Sequence, residues 1–595
     1  MKNISLLLLA LVVFYPSIAA ERKDSIIDKI HSFAKLYGYT KYFHPSSEAA
    51  KIDWNTFAVY SIKKIISDKK DLKEVLIELF TPIAPSIHIV NDKANSPPDI
   101  QKITSDDITK YCTITWQHLG LGTPGSVYSS KRVLNNCKRR KDPLFKDKNE
   151  IGDFIIKDIG SGLKCVLPLA LYEYKGNTYP KGDSLITAKL KGNLKELRLD
   201  SNANGFEQRV AGIVILWNEI KHFHPYLPEL NVDWEKALED ALYKSFQDTS
   251  LIAYKSTLRK MTTLLNDGHL YINFSANKSN VENSFFMLPI DWEWIENEVV
   301  ITQIFEKNLY GKLKKGDIVK SINGTDILKV IEKKEELISS STPLHKRYKA
   351  LGGLLLSSKD SSLSAQIIRD NKIININIPF SYSYSNIVSA LKEVTEIKFK
   401  EISNNILYAN LTSIEDKDIP LLLSKSQDKK GLILDLRGYP KSHLILCHLL
   451  TQKDTSSHWM QTPQLIRPDF ENVSFRYQGW ALEPKSPNIA AKVILLIDYK
   501  AISYSESVIG FFENYKLATI IGQPSAGTNG NVNVTKLPGG ISAMWTGMKV
   551  VKHNGGKIYE KGFIPDIIVN PTIQDIKNGR DSMIEAATKL LEKGM

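Results

Sequence analysis

Beyond residue 400 the apolar positions gather into short unbroken runs, "NILYANL", "GLILDLRG", "AKVILLID" and "ATIIG", separated by stretches with helical spacing. Strands covered on both faces read as continuous apolar runs, so residues 383–595 are expected to form an α/β core around a largely parallel sheet. From 285 to 382 the pattern becomes alternating, in "FFMLPIDWEWIENEVVITQIF", "LKKGDIVKSINGTDIL" and "LSAQIIRDNKIININIPF", with Gly-Asp, Asn-Gly and Asp-Asn turns between the runs. That is the pattern of a compact β domain.

The first part of the chain repeats itself. "KYFHP" at Lys41–Pro45 returns as "KHFHP" at Lys221–Pro225, and Asp-Trp follows each at Asp53-Trp54 and Asp233-Trp234. Each copy runs through an amphipathic helical pattern to a further histidine, His88 in "APSIHIV" and His269 in "LNDGHLYI", at steps of 34 and 35 from the tryptophan. Two helical modules are therefore expected, at 21–95 and 205–284. The segment 96–204 between them holds short β-like runs such as "YCTITWQHLGLG" and reads as a β-rich domain whose role the pattern does not disclose.

The start, "MKNISLLLLALVVFYPSIAAER", joins Lys2 to an apolar run and small residues at Ser17, Ala19 and Ala20. It reads as a secretory signal over 1–20, and the run is shorter than the ~20 residues of a spanning helix. An exported protein, periplasmic or extracellular, with no integral membrane segment after signal cleavage is the expectation. Four cysteines, of which Cys112, Cys137 and Cys165 lie in one region, allow at most one bridge there and match no zinc ribbon. The net charge of +13 is spread along the chain without a basic block, which leaves nucleic acid as a weak hypothesis.

In "ILLIDYKAISYSESVIGFF", an apolar run turns through small polar residues into a helical pattern. Ser503 and Glu506 alone have the spacing of a capping box, which opens ordinary helices. Taken in order, however, "LNDGHL", "LKKGDIVKSING", "GLILDLRG", "AISYSESVIGFF", "ATIIGQPSAGTNG", "LPGG" and "GFIPDIIVNPT" resemble the tail-specific or C-terminal-processing serine peptidases. The likeness is strongest to the branch containing tricorn core and interphotoreceptor retinoid-binding protein, and it spans about 205–590.

The resemblance implies a multidomain α+β chain with a peptidase core, a PDZ-like insertion at 285–382 and a helical cap carrying His269. It also implies Ser503 as nucleophile, His269 as base, Glu560 as the residue orienting the imidazole, and the amides of Tyr504 and Gly438 as oxyanion donors. Thr528 stands 25 residues after Ser503, where the other branch of the family carries a lysine, so a Ser–Lys dyad is disfavoured. The chain departs from the family at Gly268, where tricorn-like enzymes have serine, and at Pro440, Lys441 and Ser442, where many relatives have paired glycines. His44 and His224 read as structural, and "HLILCH" with His443, Cys447 and His448 reads as helix packing, so neither a metal nor a cofactor is expected. The function expected is peptide-bond hydrolysis on a protein or peptide substrate through an acyl-enzyme. The alternative is a catalytically inactive ligand- or peptide-binding protein on the same fold. Oligomeric state is not legible.

Overall fold

The computed structural model describes the chain except residues 1, 93–107, 123–126, 138–141, 201–202, 204, 275–285, 358–359, 384–396 and 595. The side chains of 2–22 are likewise outside it, so the leader-like stretch falls outside the described residues. Among the described residues no helix is long and apolar enough to cross a membrane.

The core sheet has six strands in the order Phe399–Ser403, Ile406–Asn410, Gly431–Asp435, Lys492–Ile497, Thr519–Gly522 and Ile567–Ile568. The first pairing is antiparallel and the remaining four are parallel, as unbroken apolar runs require. Leu432, Leu434 and Leu495 face one apolar layer with Val508 and Phe512 of the Tyr504–Asn514 helix. Ile433, Ile494 and Leu496 face the other, against Met583, Ala587 and Leu591 of the C-terminal helix Ser582–Lys593. Arg437 locks that helix to the end of the inner strand Gly431–Asp435 through Asp435 at 2.6 Å and Asp581 at 2.8 Å.

Residues 286–383 fold as an antiparallel insertion with its own apolar core, built on five main strands from Ile290–Ile295 to Lys372–Pro379 and two helices, Ile327–Glu335 and Pro343–Leu354.

The repeat is a duplication in space. Asp53 and Asp233 each cap the helix that their tryptophan begins, Trp54–Ser67 and Trp234–Ser245. His44 Nε2 meets Ser86 Oγ at 2.8 Å, and His224 Nε2 meets Asp267 Oδ2 at 3.5 Å. In both copies, therefore, the first histidine touches the residue two places before the second. Each copy ends in a strand that joins a hairpin: His88–Asn91 pairs with Leu163–Pro168, and Tyr271–Phe274 pairs with Ile541–Thr546. The segment 96–204 is accordingly shared out. Its Phe154–Pro168 hairpin completes the first module, while Cys112–Leu119 and Ala170–Tyr174 enter a sheet with Met460–Leu465 and Ser474–Gln478 of the core. Cys112 and Cys137 form a disulfide, and Cys165 and Cys447 are buried thiols.

Candidate active site

The strand Lys492–Ile497 delivers Ser503 to a turn just before the Tyr504–Asn514 helix. Ser503 has φ 60° and ψ −118°. This conformation costs a non-glycine residue about 1–3 kcal/mol and is found where a nucleophile is thrust out of a strand-to-helix turn. Its hydroxyl does not cap the helix. Ser505 Oγ donates to Gly438 O at 2.6 Å and Ser507 Oγ pairs with Asn529, so of the three serines only Ser503 keeps a hydroxyl without a hydrogen bond among the described residues. The capping-box reading thus fails for the serine.

Glu506 is fully buried and turned inward, where it accepts from Ser525 Oγ at 2.6 Å and Gly527 N at 2.7 Å and still faces the Ser503 amide. Burial pushes this carboxyl up to about 7, against the pull of those donors.

His269 and Ser503 line one cavity of about 1410 Å³. They are not hydrogen-bonded to each other in this form. The imidazole is anchored on its far side, with Nδ1 2.9 Å from Thr546 Oγ1. Thr546 Oγ1 in turn donates to Asp267 Oδ1 at 2.7 Å, and Asp267 also accepts from the His269 and Thr546 amides. Because the threonine's one proton is committed to Asp267, its oxygen accepts from Nδ1–H. That assigns the tautomer and leaves Nε2 as a base without a hydrogen-bond partner among the described residues. Burial lowers the imidazole's affinity for a proton, Asp267 partly restores it, and Lys349 lowers it again. For Asp267 burial favours the acid form, but His224, His269 and Thr546 outweigh it and hold the carboxylate ionised.

Glu560 is not brought to His269. Its carboxylate bonds Asn266 Nδ2 at 3.0 Å and Lys557 Nζ at 2.8 Å. The acid beside the histidine is Asp267, two residues away in "NDGH", an adjacency visible in the sequence, whereas the resemblance implies the more distant Glu560. Thr546 carried no such signal, since it is 277 residues distant.

Of the two amides expected as oxyanion donors, that of Tyr504 opens the helix and makes no hydrogen bond among the described residues, whereas Gly438 N–H is spent on Leu436 O at 2.9 Å.

Two departures from the family acquire physical reasons. A Cβ at Gly268 would lie 2.7 Å from Thr528 Oγ1, so a serine does not fit there. Thr528, in the place of the absent lysine, ties the site together: its carbonyl takes the Ser503 amide at 2.8 Å and its hydroxyl takes the Gly268 amide at 3.0 Å. The insertion closes the same joint, as Ser341 bonds Thr528 and Asn266 while Lys349 Nζ donates to Gly268 O at 3.0 Å and Ser339 O at 2.9 Å. Burial lowers Lys349 to about 8.

His443 is not in a helix with Cys447; it faces the cavity and bonds Tyr504 OH at 2.6 Å. Among the described residues no cluster of three His, Cys, Asp or Glu side chains is placed to hold a metal.

Residues 405–569 match Peptidase family S41. Among solved structures the chain is similar to mature CPAF complexed with lactacystin, at 13% identity over 65% of this chain and 98% of that one, with a TM-score of 0.52. It is also similar to mature CPAF, at 13% identity over 65% and 96% of the two chains, with a TM-score of 0.50. At such identity the likeness is one of fold. No curated protein is similar enough in sequence to count as a relative. Through residues 405–569 this chain is similar to peptidase family S41, a family of serine-type hydrolases.

Proposed function

We propose that the protein is an exported peptidase that cleaves peptide bonds in proteins or peptides through Ser503, with His269 as base and a Thr546–Asp267 relay in the place the family gives to glutamate. One observation carries this reading. The two atoms the reaction needs free, Ser503 Oγ and His269 Nε2, have no hydrogen bond among the described residues, and their residues line one cavity. Catalytic contacts commonly tighten only when substrate is bound.

In the first step Ser503 Oγ bonds to the substrate carbonyl carbon while His269 Nε2 takes the hydroxyl proton. The oxyanion accepts from the Tyr504 amide, aided by the positive end of the helix behind it. His269 then gives its proton to the departing amine, and water repeats the sequence on the acyl-serine. Asp267 stays ionised and favours the transient imidazolium through Thr546.

The leader-like N-terminus and the Cys112–Cys137 disulfide support export, since disulfides persist in oxidising compartments. The committed Gly438 amide favours a second reading, a peptide binder with little turnover. A fluorophosphonate separates the two. Labelling of wild type that is absent in Ser503→Ala supports the hydrolase, and a wild type that takes no label leaves the binder.

A further inference from the structure

One end of the cavity is walled by rings. Tyr504 follows the nucleophile, Tyr439 follows Gly438, and Trp480 and His443 close the space between them. Tyr439 and Tyr504 have ring centroids 5.8 Å apart, Trp480 and Tyr504 5.7 Å, and His443 and Trp480 4.8 Å. Trp480 is fixed from behind, stacked on Phe511 at 5.2 Å and edge-on to Trp459 at 5.4 Å. Its orientation is therefore set before any ligand arrives.

The rest of the lining differs in kind. It includes Asn529, Asn531 and Asn533, and Lys41 with Glu219, which pair with each other at 3.6 Å. Apart from Lys41 and Glu219 the lining holds no carboxylate, lysine or arginine; Asp416 acts on His443 and Tyr504 from outside it, and burial still keeps His443 below its ordinary proton affinity. A carboxylate placed among these rings would lose water without gaining a counter-ion, and a lysine would have only Asp416, outside the lining. An aromatic or large aliphatic one would bury its area against oriented ring faces.

We infer that this ringed recess, beside Ser503 and Gly438, selects peptides carrying an aromatic or large apolar side chain next to the cleaved bond. The inference deepens the peptidase reading and rests on it for the words "cleaved bond", but the recess binds side chains whether or not Ser503 reacts. The test is therefore an equilibrium one. Short blocked peptides, with Phe, Tyr, Leu, Ala, Asp or Lys scanned through each position, are titrated into the full-length Ser503→Ala protein by calorimetry and Trp fluorescence.

At one position, Phe, Tyr and Leu should bind about 10–100-fold tighter than Ala, Asp or Lys. Tyr439→Ala, at a residue 54% exposed, removes part of the wall with little risk to folding and should shrink that ratio, and Trp480→Ala should abolish it. Equal affinity for all side chains at every position, or preference for a charged one, overturns the inference, as does a ratio untouched by both substitutions. Fluorophosphonate labelling of the wild type reads the nucleophile separately, so a failed peptidase and a failed recess give different results.

Discussion

Thr546 Oγ1 lies 2.7 Å from Asp267 Oδ1 and gives its one proton to that carboxylate, so towards His269 it acts only as an acceptor. A hydroxyl of this kind orients the imidazole while the charge that steadies it sits one bond further away. The consequences reach the rate, the pH profile and the choice of orienting acid.

Thr546→Val keeps the shape of the side chain and removes the acceptor for Nδ1–H. It should lower kcat about 10²–10⁴-fold with KM little changed, because orientation of the base acts in the transition state. Thr546→Ser should restore most of the rate. Glu560→Gln should stay within about threefold of wild type, since an exposed ion pair with Lys557 contributes little. Steady-state kinetics on one peptide decides the matter, and a collapse of kcat in Glu560→Gln would return the orienting role to Glu560.

The free base must be neutral to accept the serine proton. Burial and Lys349 both lower the proton affinity of His269, so the acid limb of kcat/KM should fall below the ordinary imidazole value of ~6.5. Lys349→Met removes a positive charge that opposes the imidazolium and should move the limb upward. It should also lower kcat, because the Gly268 carbonyl loses its donor. A limb that moves down in this variant would show that Lys349 does not act on His269.

Glu506 should make stability depend on pH. Its folded value of about 7 lies above the unfolded value of ~4.3, so the neutral carboxyl's contribution is fully present below ~4.3 and is lost as pH rises through about 7. The loss amounts to roughly 4 kcal/mol. Thermal melts of wild type from pH 5 to 8 should show Tm falling, and Glu506→Gln should flatten that slope.

Arg437 joins Asp435 and Asp581 beneath the loop that carries Gly438 and Tyr439. Arg437→Met would leave Asp435, 5% exposed, without its cation, which costs about 3–5 kcal/mol. Urea denaturation should report the loss, with a preserved slope if unfolding stays cooperative.

Patterns that act over a few residues were readable from the chain. Unbroken apolar runs became the inner strands of the parallel sheet, alternating runs became antiparallel strands, and the aspartates of the repeated Asp-Trp pairs became helix caps, with Trp234 buried and Trp54 partly so. The turn on which Ser503 stands was readable from the change of strand to helical period, whereas the choice of Ser503 as nucleophile came from the family resemblance. In each case the physical cause, burial on one face or a bond to the next turn, is contained in the segment itself.

Tertiary structure alone decided how the pieces share work. The segment 96–204 reads as one β-rich stretch, yet its strands divide between the first helical module and a sheet completed by Met460–Leu465, because strand edges pair with whatever edge the fold presents. Likewise the acid linked to the imidazole by hydrogen bonds is Asp267, through Thr546, while Glu560 bonds Asn266. Hydrogen bonds are made by atoms within about 3 Å, and which atoms those are follows from the closed chain. The amino-acid sequence determined the elements, the duplication and the strand-to-helix turn that carries Ser503. The packing of cap, insertion and core determined which groups surround that serine, since proximity across 277 residues is a property of the folded state.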